Sequence, residues 1–186
     1  MTIKLTAEQK KKHLNSDDVY SVMQEILLRE EKIDREKEHL WIIGLASNNR
    51  ILFIELVSLG SVNATIVEPM NVFRVSVMKG AVSVILVHNH PSGEVQPSEE
   101  DIDMTDRLYQ VGRIINIQVI DHLIISTKTY LSFVKDNFME KIKQSTKWVP
   151  QFELIERILE QEKQIKKGSI LLKAERARGV KEGHKK

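Results

Sequence analysis

Two imidazoles and a carboxylate stand at metal-ligand spacing in His88-Asn89-His90-Pro91-Ser92-Gly93 followed by Ser98-Glu99-Glu100-Asp101. An aspartate that reaches back to such a histidine pair completes a His, His, Asp set and leaves the fourth tetrahedral position to water. Two imidazoles among three ligands favour zinc over magnesium, which prefers oxygen. The chemistry such a centre performs is hydrolysis by a mononuclear zinc ion.

The elements that must position these groups can be read around them. Val82-Ser83-Val84-Ile85-Leu86-Val87 is a run of β-branched and aliphatic residues that predicts a strand buried on both faces. Side chains alternate along a strand, so His88 and His90 point to one side. Pro91 and Gly93 end the strand and leave the imidazoles at its carboxyl end, where ligands of α/β sheets bind. Pro97 and Ser98 open a helix through Gly112, with Ile102, Thr105, Leu108, Tyr109 and Val111 on its apolar side and Asp101 in its first turn.

A second reading stays open for part of this set. Ser98-x-x-Asp101 also fits a capping box, and taken alone the pair reads better as a cap. A histidine pair on a strand, taken alone, reads better as structural. The conjunction of all three ligands in register favours a metal site.

In its spacing, His88-x-His90, seven residues, Ser98, two residues and Asp101 resembles the JAMM motif of the JAB/MPN metalloprotease superfamily, and His-Asn-His-Pro-Ser-Gly resembles its RadC-like branch. Gly60-Ser61-Val62-Asn63-Ala64, Pro69-x-x-Val72-Phe73-Arg74 and Asp121-His122-Leu123-Ile124-Ile125 extend the resemblance over residues 16 to 135. It implies a JAB/MPN-type mixed α/β fold, a cytidine-deaminase-like mixed β-sheet flanked by helices, here with an added C-terminal helix. It implies a Zn2+ cofactor on His88, His90 and Asp101, with a zinc-bound water attacking an amide carbonyl as in a metallopeptidase or isopeptidase. It also implies a glutamate general base at the start of an early strand, a position that Glu38 matches, with Ser98 supporting the oxyanion. Glu36 is the alternative base, because Glu31 to Glu38 is a charge run that on its own reads as solvated surface. His122 reads as a satisfied structural histidine.

The remaining segments fit one domain with appendages: a flexible stretch over 1–15, the RadC-like domain over 16–136, and a basic helical extension over 137–186 with a disordered end. Val19, Val22, Met23, Ile26 and Leu27 are at helical spacing, with Ser16 and Asp17 as candidate caps. Two strands flank Ser47-Asn48-Asn49-Arg50, whose paired asparagines suit a tight hairpin. A strand around Val62 to Val67, a helix near Asn71 to Lys79, and strands over Ile117 to Ser126 and Tyr130 to Val134 follow. Phe152, Ile155, Ile158, Leu159 and Ile165 mark an amphipathic helix after Pro150 that Gly168 interrupts.

Composition narrows the function classes. There is no cysteine, which excludes disulfides, thiolate metal sites and the cysteine-ligated nucleobase deaminases. Neither a secretory leader nor a membrane span is apparent, so a cytoplasmic location is expected. Residues 141 to 186 hold 13 Lys and Arg against 6 Asp and Glu, whereas residues 1 to 140 hold 15 against 20. Such a basic end could contact nucleic-acid phosphates without sequence specificity; an amphipathic helix docked on the domain or on a second copy, giving a homo-oligomer, is the preferred reading. The alternative function is a non-catalytic or weakly active JAB module associated with DNA repair or nucleic-acid complexes. The resemblance implies a helix-hairpin-helix segment ahead of the domain, and about 35 residues before the first strand are too few for that and the helix expected there, which weakens a DNA-targeting expectation. A metal-dependent nuclease suggested by His88-Asn89-His90 is disfavoured, since the histidines end a long apolar strand. The peptide or protein substrate is not specified by any segment.

Overall fold

The computed structural model describes residues 15–60 and 67–182, with residues 171–182 described as backbone alone. The chain divides into two compact units between Ser145 and Thr146. In the first unit α1 (Ser16–Arg29) and the single turn α2 (Lys32–Arg35) precede β1 (Glu38–Leu45) and β2 (Ile51–Gly60). Then come α3 (Pro69–Met78), β3 (Ser83–Asn89), α4 (Glu99–Ile114), β4 (Gln118–Ile125), β5 (Tyr130–Ser132) and α5 (Phe138–Gln144). The second unit contains α6 (Gln151–Glu182). The expected strand over Val62 to Val67 lies largely outside the described residues; Val67 itself is buried and not in a strand. The flexible stretch and the disordered end also fall there, apart from Asn15 and the part of the tail that α6 includes.

The sheet runs β2-β1-β3-β4-β5, with β3 and β4 parallel and every other neighbour antiparallel. This is the expected mixed α/β sheet flanked by helices. A parallel neighbour needs a crossover, and α4 supplies it between β3 and β4. That connection starts at the carboxyl end of β3, so the first turn of α4 must lie beside the end of that strand.

Every residue of β3 is buried, as a central strand with helices on both faces requires. Its Ile85 and Val87 face α1, packing with Val19, Met23 and Leu27. Its Val84 and Leu86 face the other way, into a cluster with Met104 and Leu108 of α4 and Phe73 of α3. The alternation puts His88 on the α4 side. A third cluster joins Met139 and Ile142 of α5 to Ile124, Leu131 and Phe133, so α5 packs within the sheet unit, beyond the expected boundary at residue 136.

Local chemistry sets several ends differently from expectation. The cap of α1 is Asn15, one residue before the two candidates; it accepts from Asp18 N and Asp18 returns the bond. Ser16 instead donates to Asp121, and Asp17 binds Lys135. The hairpin between β1 and β2 turns on Asn49 at φ 58, a left-handed conformation that asparagine tolerates. Gly168 does not interrupt α6, which continues through it to Glu182. A glycine costs about 1 kcal/mol in a helix, too little for Gly168 or Gly179 to stop a run of 32 residues dominated by Leu, Glu, Gln, Lys, Arg and Ala.

Candidate metal centre

β3 delivers His88 from its last turn of alternation, and His90 follows one residue past the strand end. Gly93 at φ 89 turns the chain back, and Glu94 presents its carbonyl to His90 Nδ1 at 2.7 Å. A carbonyl only accepts, so His90 Nδ1 carries the proton and Nε2 is the nitrogen left to ligate.

The tautomer of His88 is set by a longer chain of bonds. Thr105 Oγ1 donates its one proton to the Asp101 carbonyl and therefore accepts from His122 Nδ1 at 2.6 Å. His122 is fully buried, and burial, then the neighbouring His88, push its imidazole well below the ordinary histidine range, so it is neutral. Its Nε2 is then an acceptor, which takes the Nδ1 proton of His88 at 2.7 Å. His88 Nε2 faces the opposite way, toward His90 and Asp101. His122 is hydrogen-bonded on both ring nitrogens, as expected of a structural histidine, and it also orients His88, a candidate metal ligand.

Asp101 fills both roles that its spacing left open. Its Oδ2 accepts from Ser98 N at 2.8 Å and Ser98 Oγ at 2.7 Å, while Asp101 N donates to Ser98 Oγ, a complete capping box. Its Oδ1 lies 3.2 Å from His88 Nε2, and Oδ2 lies 3.5 Å from His90 Nε2. Burial would raise this carboxyl, yet the His88 and His90 imidazoles, which donate from Nε2 to it only when they carry a second proton, together with the Ser98 bonds outweigh burial and hold Asp101 far below the usual carboxylate range. The hydrogen bond to Asp101 in turn raises His90, against the effect of burial, with the Glu94 carbonyl and the charges of Asp101 and Glu38 adding to it.

His88, His90 and Asp101 form the group suited to a metal ion among the described residues. The two Nε2 atoms are 2.9 Å apart. With both Nδ1 positions committed as donors, facing lone pairs at that distance call for a cation or a shared proton between them. Bonds of about 2.0 to 2.1 Å in a tetrahedral site separate ligands by roughly 3.3 Å, close to the 2.9, 3.2 and 3.5 Å found here. The donor set fits a metal. His88 and Asp101 are buried, whereas His90 is partly exposed and leaves one side open to solvent.

Glu38 is the first residue of β1 and half-buried. Leu40 pairs with His88 at the end of the antiparallel ladder, and Glu38, two residues before Leu40 on the same face of β1, is near enough to His90 for its charge to act on that imidazole. Glu36 caps the end of α2, outside the ladder. Ser98 is brought to the site as the cap of α4, with its proton given to Asp101 Oδ2.

Asn89 has a position that its place between the histidines did not announce. It points to the opposite face, fully buried, where its Oδ1 accepts from His39 N at 2.8 Å and its Nδ2 donates to the Lys37 carbonyl at 3.0 Å. Those two backbone groups flank Glu38. A polar residue inside an otherwise apolar buried strand was the available signal.

A family model described as RadC-like JAB domain matches residues 14–139. A UPF0758 protein of Methanococcoides burtonii is 41% identical over 134 residues, which are 72% of this chain and 56% of that protein. A UPF0758 protein of Geobacillus kaustophilus is 45% identical over 103 residues, 55% of this chain and 46% of that protein. The chain thus spans about half the length of these relatives.

Proposed function

The chain belongs to the RadC-like JAB domain family, and on that premise we propose that it is a zinc-dependent hydrolase of amide bonds, a metallopeptidase or isopeptidase. The observation that carries the proposal is the convergence of His88 Nε2, His90 Nε2 and the Asp101 carboxylate, with the other nitrogen of each histidine already committed as a donor. Bound there, zinc would supply Lewis acidity toward a carbonyl oxygen and make a water acidic enough to attack near neutral pH.

The chain's own residues divide the remaining work. His122 and Thr105 hold His88 in the ligating tautomer, and the Glu94 carbonyl does the same for His90. Glu38 takes a proton from the attacking water and returns it to the leaving amine as the carbon–nitrogen bond breaks. Ser98 orients Asp101, and its hydroxyl can support an oxyanion only by turning away from Oδ2. The solvent-open side at His90 is the approach for the substrate.

The alternative, a JAB module that assembles with nucleic acid and does no chemistry, draws its support from the basic end of the chain. Among the described residues no helix is long and apolar enough to cross a membrane. The deciding experiment is metal analysis of the full chain purified without chelator, followed by incubation of the zinc-loaded protein with peptide and isopeptide libraries. Near-stoichiometric zinc and cleavage support the hydrolase; no metal overturns it, and metal without cleavage favours the module.

A further inference from the structure

α6 has 32 residues and exposes Phe152, Ile155, Ile158, Leu159, Ile165 and Ile170, each at least half accessible. These side chains do not scatter around the helix. At 100° per residue they fall on one broad stripe, and Glu162 and Lys166 fall within it. A helix that leaves such a stripe in water forgoes the packing of an apolar face, which supplies most helix stability in proteins.

Charge along the helix is segregated in a way that selects the partner. From residue 151 to 162 there are four Glu against one Arg, and from 163 to 182 seven Lys and Arg against two Glu. A parallel pair of such helices sets acidic half against acidic half and basic against basic. An antiparallel pair sets each acidic half against a basic one.

We propose that α6 is a self-association surface, pairing antiparallel with α6 of a second copy of this chain. A pairing centred between Glu162 and Lys166 places each Glu162 opposite Lys166 of the other copy and each Ile158 opposite Ile170. The two charges inside the stripe, which would weaken a parallel seam, then specify register and direction. This surface is independent of the metal centre and of the hydrolytic reading.

Sedimentation of the full chain over a range of concentrations tests it, and a dimer is expected. Glu162→Lys sets lysine against Lys166, and Lys166→Glu sets glutamate against Glu162; each single variant is expected to lose about tenfold or more in association. An equimolar mixture of the two restores dimers, because each copy then offers the charge that the other lacks, although the pair within each helix stays broken. Direction is read separately. The chain has no cysteine, so Gln151→Cys gives one reactive thiol. In the antiparallel pairing the two thiols are about 39 Å apart at 1.5 Å per residue, and a short thiol cross-linker fails to join them. A monomer at all concentrations, whether or not it binds DNA in a salt-dependent way, overturns the proposal. So does a dimer that cross-links efficiently through residue 151, or one that both charge variants leave intact.

Discussion

His88 Nδ1 lies 2.7 Å from His122 Nε2, and the direction of that bond decides which nitrogen of His88 faces the carboxylate of Asp101. The direction is set two bonds away, by a threonine hydroxyl that has one proton and gives it to a carbonyl. A residue outside the His88, His90 and Asp101 group thus controls how His88 is presented to it.

Thr105→Val is therefore expected to weaken metal binding by about 10- to 100-fold while keeping all three ligands and nearly the same volume. Competition against a chromophoric chelator measures this. An unchanged affinity would show that His122 does not depend on Thr105 for its orientation.

Asp101→Asn separates the two duties of one side chain. As the N3 partner of the Ser98 cap, asparagine can still accept from Ser98 N through its carbonyl oxygen while its amide donates to His88 Nε2, so the metal-free variant should match metal-free parent protein within about 1 kcal/mol in urea unfolding. Zinc should be lost from it. If the metal-free variant were several kcal/mol weaker, the carboxylate charge would matter to the fold and not only to the ion.

Glu38→Gln should keep stoichiometric zinc and lower amide cleavage by about a hundredfold or more, since the amide cannot accept a proton. Glu36→Gln should change neither. The opposite pattern would move the general base to Glu36.

Asn89→Ala removes the two side-chain bonds that hold the backbone on either side of Glu38 and takes from the buried His39 N–H its Asn89 acceptor, while the Lys37 carbonyl keeps His39 Nδ1. A loss of about 1 to 3 kcal/mol is expected in chemical denaturation, together with slower cleavage at retained metal content. Full activity in a clearly destabilised variant would separate the clamp from the chemistry.

Asp121 makes a pH dependence of the opposite sign to the usual carboxylate. Burial pushes its carboxyl up from 3.8, and hydrogen bonds from Ser132, Val134, His122 and Ser16 only partly offset that. The native state then holds the proton to higher pH than the unfolded chain does. Its contribution to stability is full below the unfolded value and declines as pH rises through the raised folded value. The stability of the parent protein minus that of Asp121→Asn should fall as pH is raised from acid to neutral; a flat or rising difference would contradict it.

Much of the candidate site is legible in the sequence. The strand ending in His88, the helix opening at Ser98 and the hairpin at Asn49 follow from local rules: alternation, capping chemistry and tolerance of the left-handed region. Local rules failed where the outcome depended on more than a turn or two. Gly168 is a break signal that 32 residues of helix override, and Asn15 took the cap of α1 because Ser16 had a partner 105 residues away.

The sequence by itself determined the ligand types, their spacing and the alternation that puts both imidazoles on one side of a strand, because these are properties of neighbouring residues. Tertiary structure alone decided that Asp101 serves the capping box and the candidate site together, that Glu38 comes near His90, that Asn89 holds the strand beside it, and that His122 sets the tautomer of His88. Those depend on strand register and on the α4 crossover, which bring residues tens of positions apart within hydrogen-bonding distance.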